Sequence, residues 1–217
     1  MTRDCETMNK IVLRGAASTA VHGTRQRGAS LIMVMLVLIV VSVLGVGAAQ
    51  IALMSERSAR NDRDMQMAVQ SADAALIDAE QDMYHPTATT PDTASTRKAL
   101  FDGQSIAGFT PGCGTATADN TKGLCTLATT GKPAWLAVDF TDTAANAPTT
   151  ELGTFTGRAF SAGSGVQPAQ KPRYVIELVP DPGRPDLTKI QYAYRVTAMG
   201  FGPRTDIQAV SQMFYKN

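Results

Sequence analysis

The sequence predicts an α+β protein in which a long N-terminal helix packs on a C-terminal antiparallel β-sheet. Three observations carry this prediction. No charged side chain occurs from Ala29 to Ser55, and apolar residues then recur at helical spacing as far as Met83. Segments rich in Val, Ile, Tyr and Phe follow after residue 172.

Composition and charge restrict the class of function. The chain of 217 residues has 44% hydrophobic residues and a formal net charge of +1, and much of its hydrophobicity lies between Ala29 and Met54. This length allows one domain or two small ones. No arginine-rich or aromatic-interleaved patch occurs in the sequence, so no nucleic-acid partner is directly indicated.

The uncharged run from Ala29 to Ser55 is long enough to cross a membrane, because a bilayer core of about 30 Å takes roughly 20 helical residues. One alternative is a buried helix of a soluble protein, although such helices rarely stay uncharged this long. The other is a cleaved secretory signal, in which Gly45 to Ala49 imitates a cleavage site, but the apolar stretch of such a signal is only about 7 to 15 residues long. The basic residues before the run favour keeping that end in the cytoplasm.

The helical pattern continues beyond the apolar run, which predicts one helix from Ala29 to His85. Its apolar residues form a single stripe, at Met65, Ala68, Val69, Ala72, Ala75, Leu76, Ala79 and Met83. Pro86 then ends the pattern. The acids Asp78 and Asp82 are also at helical spacing, and we assign them to the solvated face rather than to acid–base catalysis.

The last part of the chain predicts an antiparallel meander. Strands are expected at 173–179, 190–199 and 205–215, with turns of Pro, Gly and Asp between them. In the second strand apolar side chains alternate with more polar ones, so one face of the sheet needs a cover. The natural cover is the apolar stripe of the helix.

The junction at Gly28 resembles the class III signal of type IV pilins. Arginines at 25 and 27 precede the glycine, and Ala29-Ser-Leu-Ile opens the apolar run. The resemblance implies that a prepilin peptidase cleaves between Gly28 and Ala29 on the cytoplasmic face. It also implies that the apolar helix is kept, first as an anchor in the inner membrane and later in the core of a fibre.

Further segments resemble the PilX-type minor pilins of type IVa pilus assembly. They are GLCTLATTGKPAW (123–135), KPRYVIELV (171–179), YRVTAMGFG (194–202) and the closing AVSQMFYKN. The resemblance implies a type IV pilin-like fold, a C-terminal domain in the bacterial periplasm and a later place in the pilus fibre. Its implied partners are other minor pilins, the major pilin, a large tip adhesin, the prepilin peptidase and the inner membrane, and it implies no cofactor.

One residue departs from the pattern of the resembled family. Met33 is at the fifth position of the expected mature chain, where most pilins have glutamate. In that family the glutamate is thought to pair with the N-terminal amine of a neighbouring subunit. Met33 is therefore a candidate assembly residue that determines the place of the subunit in the fibre.

These features divide the chain into five parts. They are a cleaved leader (1–28), the transmembrane half of the helix (29–55), its amphipathic half (56–85), a Thr/Gly/Pro-rich region with a disulfide loop (86–172) and the meander (173–217). For residues 86–98 and 141–170 a loosely ordered connection and an exposed recognition surface both remain open.

Removal of the leader takes away Cys5 and leaves Cys113 and Cys125. In the periplasm these two are expected to close a disulfide, and a loop of this length contributes up to about 3 kcal/mol. A metal site is the alternative, but His22 and His85 have no Cys or His at ligand spacing, so no metal is expected. We expect Trp135, near this loop, to be a core residue rather than a platform for a ligand.

The sequence contains no Gly-x-Ser-x-Gly and no phosphate-binding glycine loop, so no catalytic residue is assigned and we expect no enzyme. The favoured function is that of a minor pilin that primes or caps the fibre at or near its tip. One alternative is the tip pseudopilin of a type II secretion system. Such a protein usually carries a large helical insertion, and the segment after Pro86 leaves little room for one. The other is a single-span periplasmic binding protein that never enters a fibre.

Overall fold

The computed structural model describes residues 29–84, 97–181 and 191–216. Its helices and strands are α1 (Ala29–Tyr84), a 3₁₀ turn (Lys98–Leu100), β1 (Leu124–Thr126), α2 (Ala134–Ala137), β2 (Thr150–Glu151), β3 (Arg173–Pro180), β4 (Tyr192–Phe201) and β5 (Gln208–Tyr215). The leader with Gly28, the expected helix end at His85 and the expected strand start at Ile190 lie outside the described residues.

The chain divides into two compact units, one up to Leu53 and one from Met54 onward. In the first unit the described residues form the apolar half of α1, and its large apolar side chains are exposed. The second unit contains the rest of α1, the sheet and the hydrophobic core.

The three C-terminal strands form the predicted antiparallel meander, in which β3 pairs with β4 and β4 with β5. Two short strands of the Thr/Gly/Pro-rich region add to it, because β1 pairs with β3 in parallel and β2 pairs with β3 antiparallel. The order is β1-β3-β4-β5, with β2 also beside β3. The predicted α+β class is confirmed, with a sheet that is mixed rather than purely antiparallel.

The apolar stripe of α1 covers one face of the sheet. Small residues of the helix are buried there, at Ala68, Ala72, Ala75 and Ala79. Ala75 and Ala79 belong to one core cluster with alternate residues of two strands, at Tyr174, Ile176, Leu178, Tyr194, Val196 and Ala198. Helix and sheet approach closely at Gly200, where a Cβ atom would lie 2.2 Å from the carbonyl oxygen of Ala68. Small side chains on both elements therefore set the distance between helix and sheet.

The opposite face of the sheet is also covered, in part, by the segment that holds the two cysteines and α2. A second core cluster lies there, made of Cys113, Cys125, Ala134, Phe140 and Val175. Trp135 packs against this cluster, as a core residue should. Because β3 has a cover on each face, its residues 173–178 are all buried, whereas the sequence predicted a cover on one face only.

Candidate assembly site

The first half of α1 presents an apolar surface that has no cover in the described part of the chain. Its large apolar side chains, from Leu31 to Met54, are each more than half exposed. The hydroxyl of Ser42 donates to the carbonyl oxygen of Leu38 at 2.7 Å, so this polar group is satisfied within the helix. Among the described residues α1 is the one helix long and apolar enough to cross a membrane. Such a surface suits lipid or other apolar helices.

Met33 lies on this surface, just after the helix begins at Ala29. Its side chain is 71% exposed, and its thioether carries no charge. The first turn of α1 contains no acidic residue. The start of the helix therefore offers no side chain that could neutralise a nearby amine.

Asp78 lies in the interior, so its assignment to a solvated face is wrong. Its two carboxylate oxygens accept hydrogen bonds from the backbone N–H of Gly153, at 2.9 Å, and from the hydroxyl of Thr156. Burial raises the pKa of Asp78 above its ordinary value, and these two hydrogen bonds oppose the rise. Both partners belong to the loop that follows β2.

Asp82, one helical turn further on, is also buried, and its assignment to a solvated face is wrong too. Its Oδ2 atom lies 3.3 Å from Nη1 of Arg97 and accepts a hydrogen bond from the hydroxyl of Tyr174 at 3.1 Å. The guanidinium of Arg97 lies over the ring of Phe155, 3.9 Å from its centroid. Burial, and next the charge of Asp82, raise the pKa of Tyr174 well above its usual value.

We call Asp78, Asp82, Arg97, Thr156 and Tyr174 the aspartate clamp. It joins the C-terminal part of α1 to the start of the 3₁₀ turn, to β3 and to the loop after β2. A buried ion pair contributes little net stability, but removal of one partner is costly, so the clamp favours one arrangement of these segments.

A sequence signal for the clamp exists. Asp78 and Asp82 directly precede the stripe residues Ala79 and Met83, so a broader buried face of the helix includes both acids. The period of the stripe alone does not show how broad that buried face is. The prediction therefore put both acids outside the buried face of the helix, whereas they lie within it.

A disulfide joins Cys113 and Cys125, whose Cα atoms are 4.1 Å apart. Cys125 lies in β1, beside β3, and Thr110 forms an isolated bridge with it. The bond therefore holds the loop that it closes against the sheet.

Glu177 holds the same layer in place, and the sequence reasoning missed it. Its buried carboxylate accepts hydrogen bonds from Nε of Arg195 at 2.9 Å and from the backbone N–H of Ala134 at 3.0 Å. The available signal was a glutamate in the middle of one strand and an arginine in the middle of the next. The register pairs these two residues directly.

The buried acids of the second unit serve as structural links between segments. Each accepts hydrogen bonds from a neighbouring segment. Among the residues that the structure describes, no group of three or more His, Cys, Asp or Glu side chains is placed to hold a metal.

Two family models match the chain. The PilX N-terminal model matches residues 27–76, and the model of the type IV pilus assembly protein PilX C-terminal region matches residues 121–217, so together they cover more than half of the chain. No curated protein and no solved structure matches it. The first match spans the exposed half of α1 and most of its stripe, and the second spans all five strands and α2. The chain therefore belongs to the PilX family and is a minor pilin of type IV pilus assembly.

Proposed function

We propose that this minor pilin primes or caps the pilus at its tip. The observation that carries the proposal is Met33, an uncharged residue at the fifth position after the expected cleavage site. The first half of α1 anchors the subunit in the inner membrane, and the second unit lies in the periplasm. Other minor pilins, the major pilin and a large tip adhesin are the expected partners.

The missing charge at Met33 matters for electrostatic reasons. A charged N-terminal amine in an apolar fibre core costs several kcal/mol unless an opposite charge compensates it. A glutamate at position 33 would compensate the amine of the subunit beyond, and methionine cannot. A subunit of this kind fits at the leading end, where no subunit lies beyond it and others are added beneath.

Processing at Gly28 fits the helix. The described helix is continuous over Ala29–Tyr84, and a cut between Gly28 and Ala29 would leave all of these residues in the mature chain. A secretory signal cut between Gly45 and Ala49 would instead remove its first turns. N-terminal sequencing of the protein extracted from membranes tests this step, and a mature chain that begins near Gln50 would contradict it.

The disulfide supports a periplasmic location for the second unit, because such bonds persist in oxidising compartments. The match to both PilX regions favours the type IV pilus over the type II secretion alternative. The exposed apolar helix favours a fibre or membrane environment over a soluble state.

Sheared fibres probed with an antibody against the second unit test the tip position. We expect a trace amount per fibre that does not grow with fibre length. Absence from fibres, or even labelling along them, would refute the proposal.

A matched pair of variants tests the role of Met33 itself. Met33→Glu restores the acid, so we expect labelling to spread along the fibre. Met35→Glu puts the same charge on a neighbouring exposed methionine, away from the amine, and should not produce this spread. Equal behaviour of the two variants would mean that position 33 has no special role.

A further inference from the structure

β5 is an edge strand of the sheet. It pairs with β4 on one side, and no described strand lies on its other side. Its eight residues, Gln208–Tyr215, include no charge, no proline and no glycine. Natural edge strands often carry charged residues or proline, because these prevent pairing with other chains. At the other end of the sheet, β1 is already bridged to Thr110.

The register shows which main-chain groups of β5 point away from β4. The N–H of Gly202 donates to the carbonyl oxygen of Ile207 at 2.8 Å, and the pairing continues with Phe201 opposite Gln208. In an antiparallel ladder hydrogen-bonded pairs alternate with pairs that are not hydrogen-bonded. The residues that bond to β4 are therefore Ala209, Ser211, Met213 and Tyr215. Those whose N–H and C=O groups face the free edge are Gln208, Val210, Gln212 and Phe214.

The side chains of β5 divide in the same alternation. Met213 and Tyr215 pack against the core under α1. Val210 and Phe214, on the opposite face, are 48% and 68% exposed. This edge of β5 therefore combines main-chain groups that pair with no described strand and two exposed apolar side chains.

We propose that β5 is the docking site for an extended segment of another protein, which adds a strand to the sheet. Main-chain donors and acceptors in a row are complemented by another extended main chain, and the side chains on each face add selectivity. The segment is apolar where it pairs, because the exposed side chains of Val210 and Phe214 lose contact with water when an apolar neighbour covers them. A cation is disfavoured there, because the register places Arg195 opposite Phe214. It carries β-branched or aromatic residues next to Val210 and Phe214.

A different protein fits this edge better than a second copy. The helix runs in the same direction as β5, because Ala72 contacts Gly200, opposite Ala209, and Tyr84 lies near Tyr215. In an antiparallel β5–β5 pair the two helices would run in opposite directions. Such a pair is two-fold symmetric and closed, whereas the subunits of one fibre repeat in a single orientation. Strand addition at β5 does not depend on whether the subunit lies at the tip or elsewhere in the fibre.

Hydrogen exchange at single amides tests main-chain pairing directly. In the purified mature chain in detergent, the amides of Val210, Gln212 and Phe214 should exchange fast, and those of Ala209 and Ser211 slowly. In isolated envelopes that contain the assembled pilus, the first three should slow by about tenfold or more. If they are already slow in the purified chain, or stay fast in the envelopes, the proposal is overturned.

Photo-cross-linking identifies the occupant. With p-benzoylphenylalanine in place of Phe214 in the full chain in cells, irradiation and mass spectrometry should map the bond to an uncharged, β-rich segment of one other protein. Bonds to lipid, to helical segments, or to β5 of a second copy would overturn the proposal.

Two substitutions at one residue separate strand addition from packing of side chains. Val210→Pro removes an N–H that faces the free edge and breaks no bond to β4, and an edge strand accepts proline at such a position. Val210→Ala keeps the N–H and removes the apolar side chain. We expect proline to lower the cross-linking yield about tenfold and alanine less. An equal or larger loss with alanine, in variants whose Trp135 fluorescence shows unchanged unfolding, would overturn strand addition.

Discussion

Replacement of Gly200 by alanine should separate α1 from the sheet. A Cβ atom there would lie 2.2 Å from the carbonyl oxygen of Ala68, 2.2 Å from the backbone nitrogen of Ala72 and 2.8 Å from the carbonyl carbon of Ser71. All three atoms belong to the helix backbone, so no side-chain rotation relieves the contact. The helix or the strand has to move.

The size of this movement determines how much the free energy of unfolding falls. Non-bonded carbon atoms pack at about 3.5 to 4.0 Å, so the two elements must separate by at least about 1 Å. Overpacking of a core costs about 1–3 kcal/mol, and here the separation also loosens the contacts of Ala75 and Ala79 with the strands. We expect a loss of about 3 kcal/mol, which is a large part of the 5–15 kcal/mol typical of a folded domain.

Denaturant unfolding of the mature chain in detergent measures this loss, with the fluorescence of Trp135, the single tryptophan, as a probe of the second unit. Gly47→Ala is the matched control, because apart from its chain neighbours and the adjacent helix backbone no described atom lies within 4 Å of a Cβ there. The double variant Gly200→Ala with Ala72→Gly should remain destabilised, since the contact is with backbone. A loss below about 0.5 kcal/mol for Gly200→Ala, or rescue by Ala72→Gly, would refute the reasoning.

Three further predictions concern the buried acids and the disulfide. Asp82→Asn removes a negative charge beside the buried guanidinium of Arg97 and should cost about 3–5 kcal/mol in the same assay, whereas the exposed Asp73→Asn should cost less than about 0.5 kcal/mol. Because burial raises the pKa of Asp78, the folded chain holds a proton there that the unfolded chain releases near its ordinary pKa of 3.8. The contribution of Asp78 to the free energy of unfolding is therefore full below the unfolded pKa, and it is lost as the pH rises through the higher pKa of the folded chain. Unfolding measured from pH 4 to 7 should show a shallower loss in Asp78→Asn, and an unchanged slope would contradict the assignment. Cys125→Ser should lower stability by up to about 3 kcal/mol and leave membrane insertion intact, and equal stability of the oxidised and reduced parent chain would contradict this.

The regular elements were predictable because their signals are local. The stripe of α1 and the alternation in β4 each repeat over many residues, so their type and approximate bounds follow from periodicity. β1 and β2 have three and two residues and show no period, and they were not predicted. They exist because the disulfide segment and the loop before Leu152 lie beside β3.

The buried polar groups could not be placed from the same signals. Asp82 and Arg97 are separated by a segment outside the described residues, and Glu177 meets Ala134 across 43 positions of the chain. Whether an acid on a helix is solvated or buried depends on what packs beside it, and periodicity does not report that. The same limit explains why the cover on the second face of the sheet was not expected.

By itself the sequence determined the apolar half of α1, the stripe that follows it, the meander and the membership of a pilin family. These properties depend on the order of residues along short stretches, and an uncharged run needs an apolar environment whatever the rest of the chain does. Only the tertiary structure decided that Asp78 and Asp82 form a clamp, that Glu177 anchors α2, and that no described strand pairs with the second edge of β5. Each of these depends on which distant segments meet in space, and that outcome is set by the packing of the whole second unit.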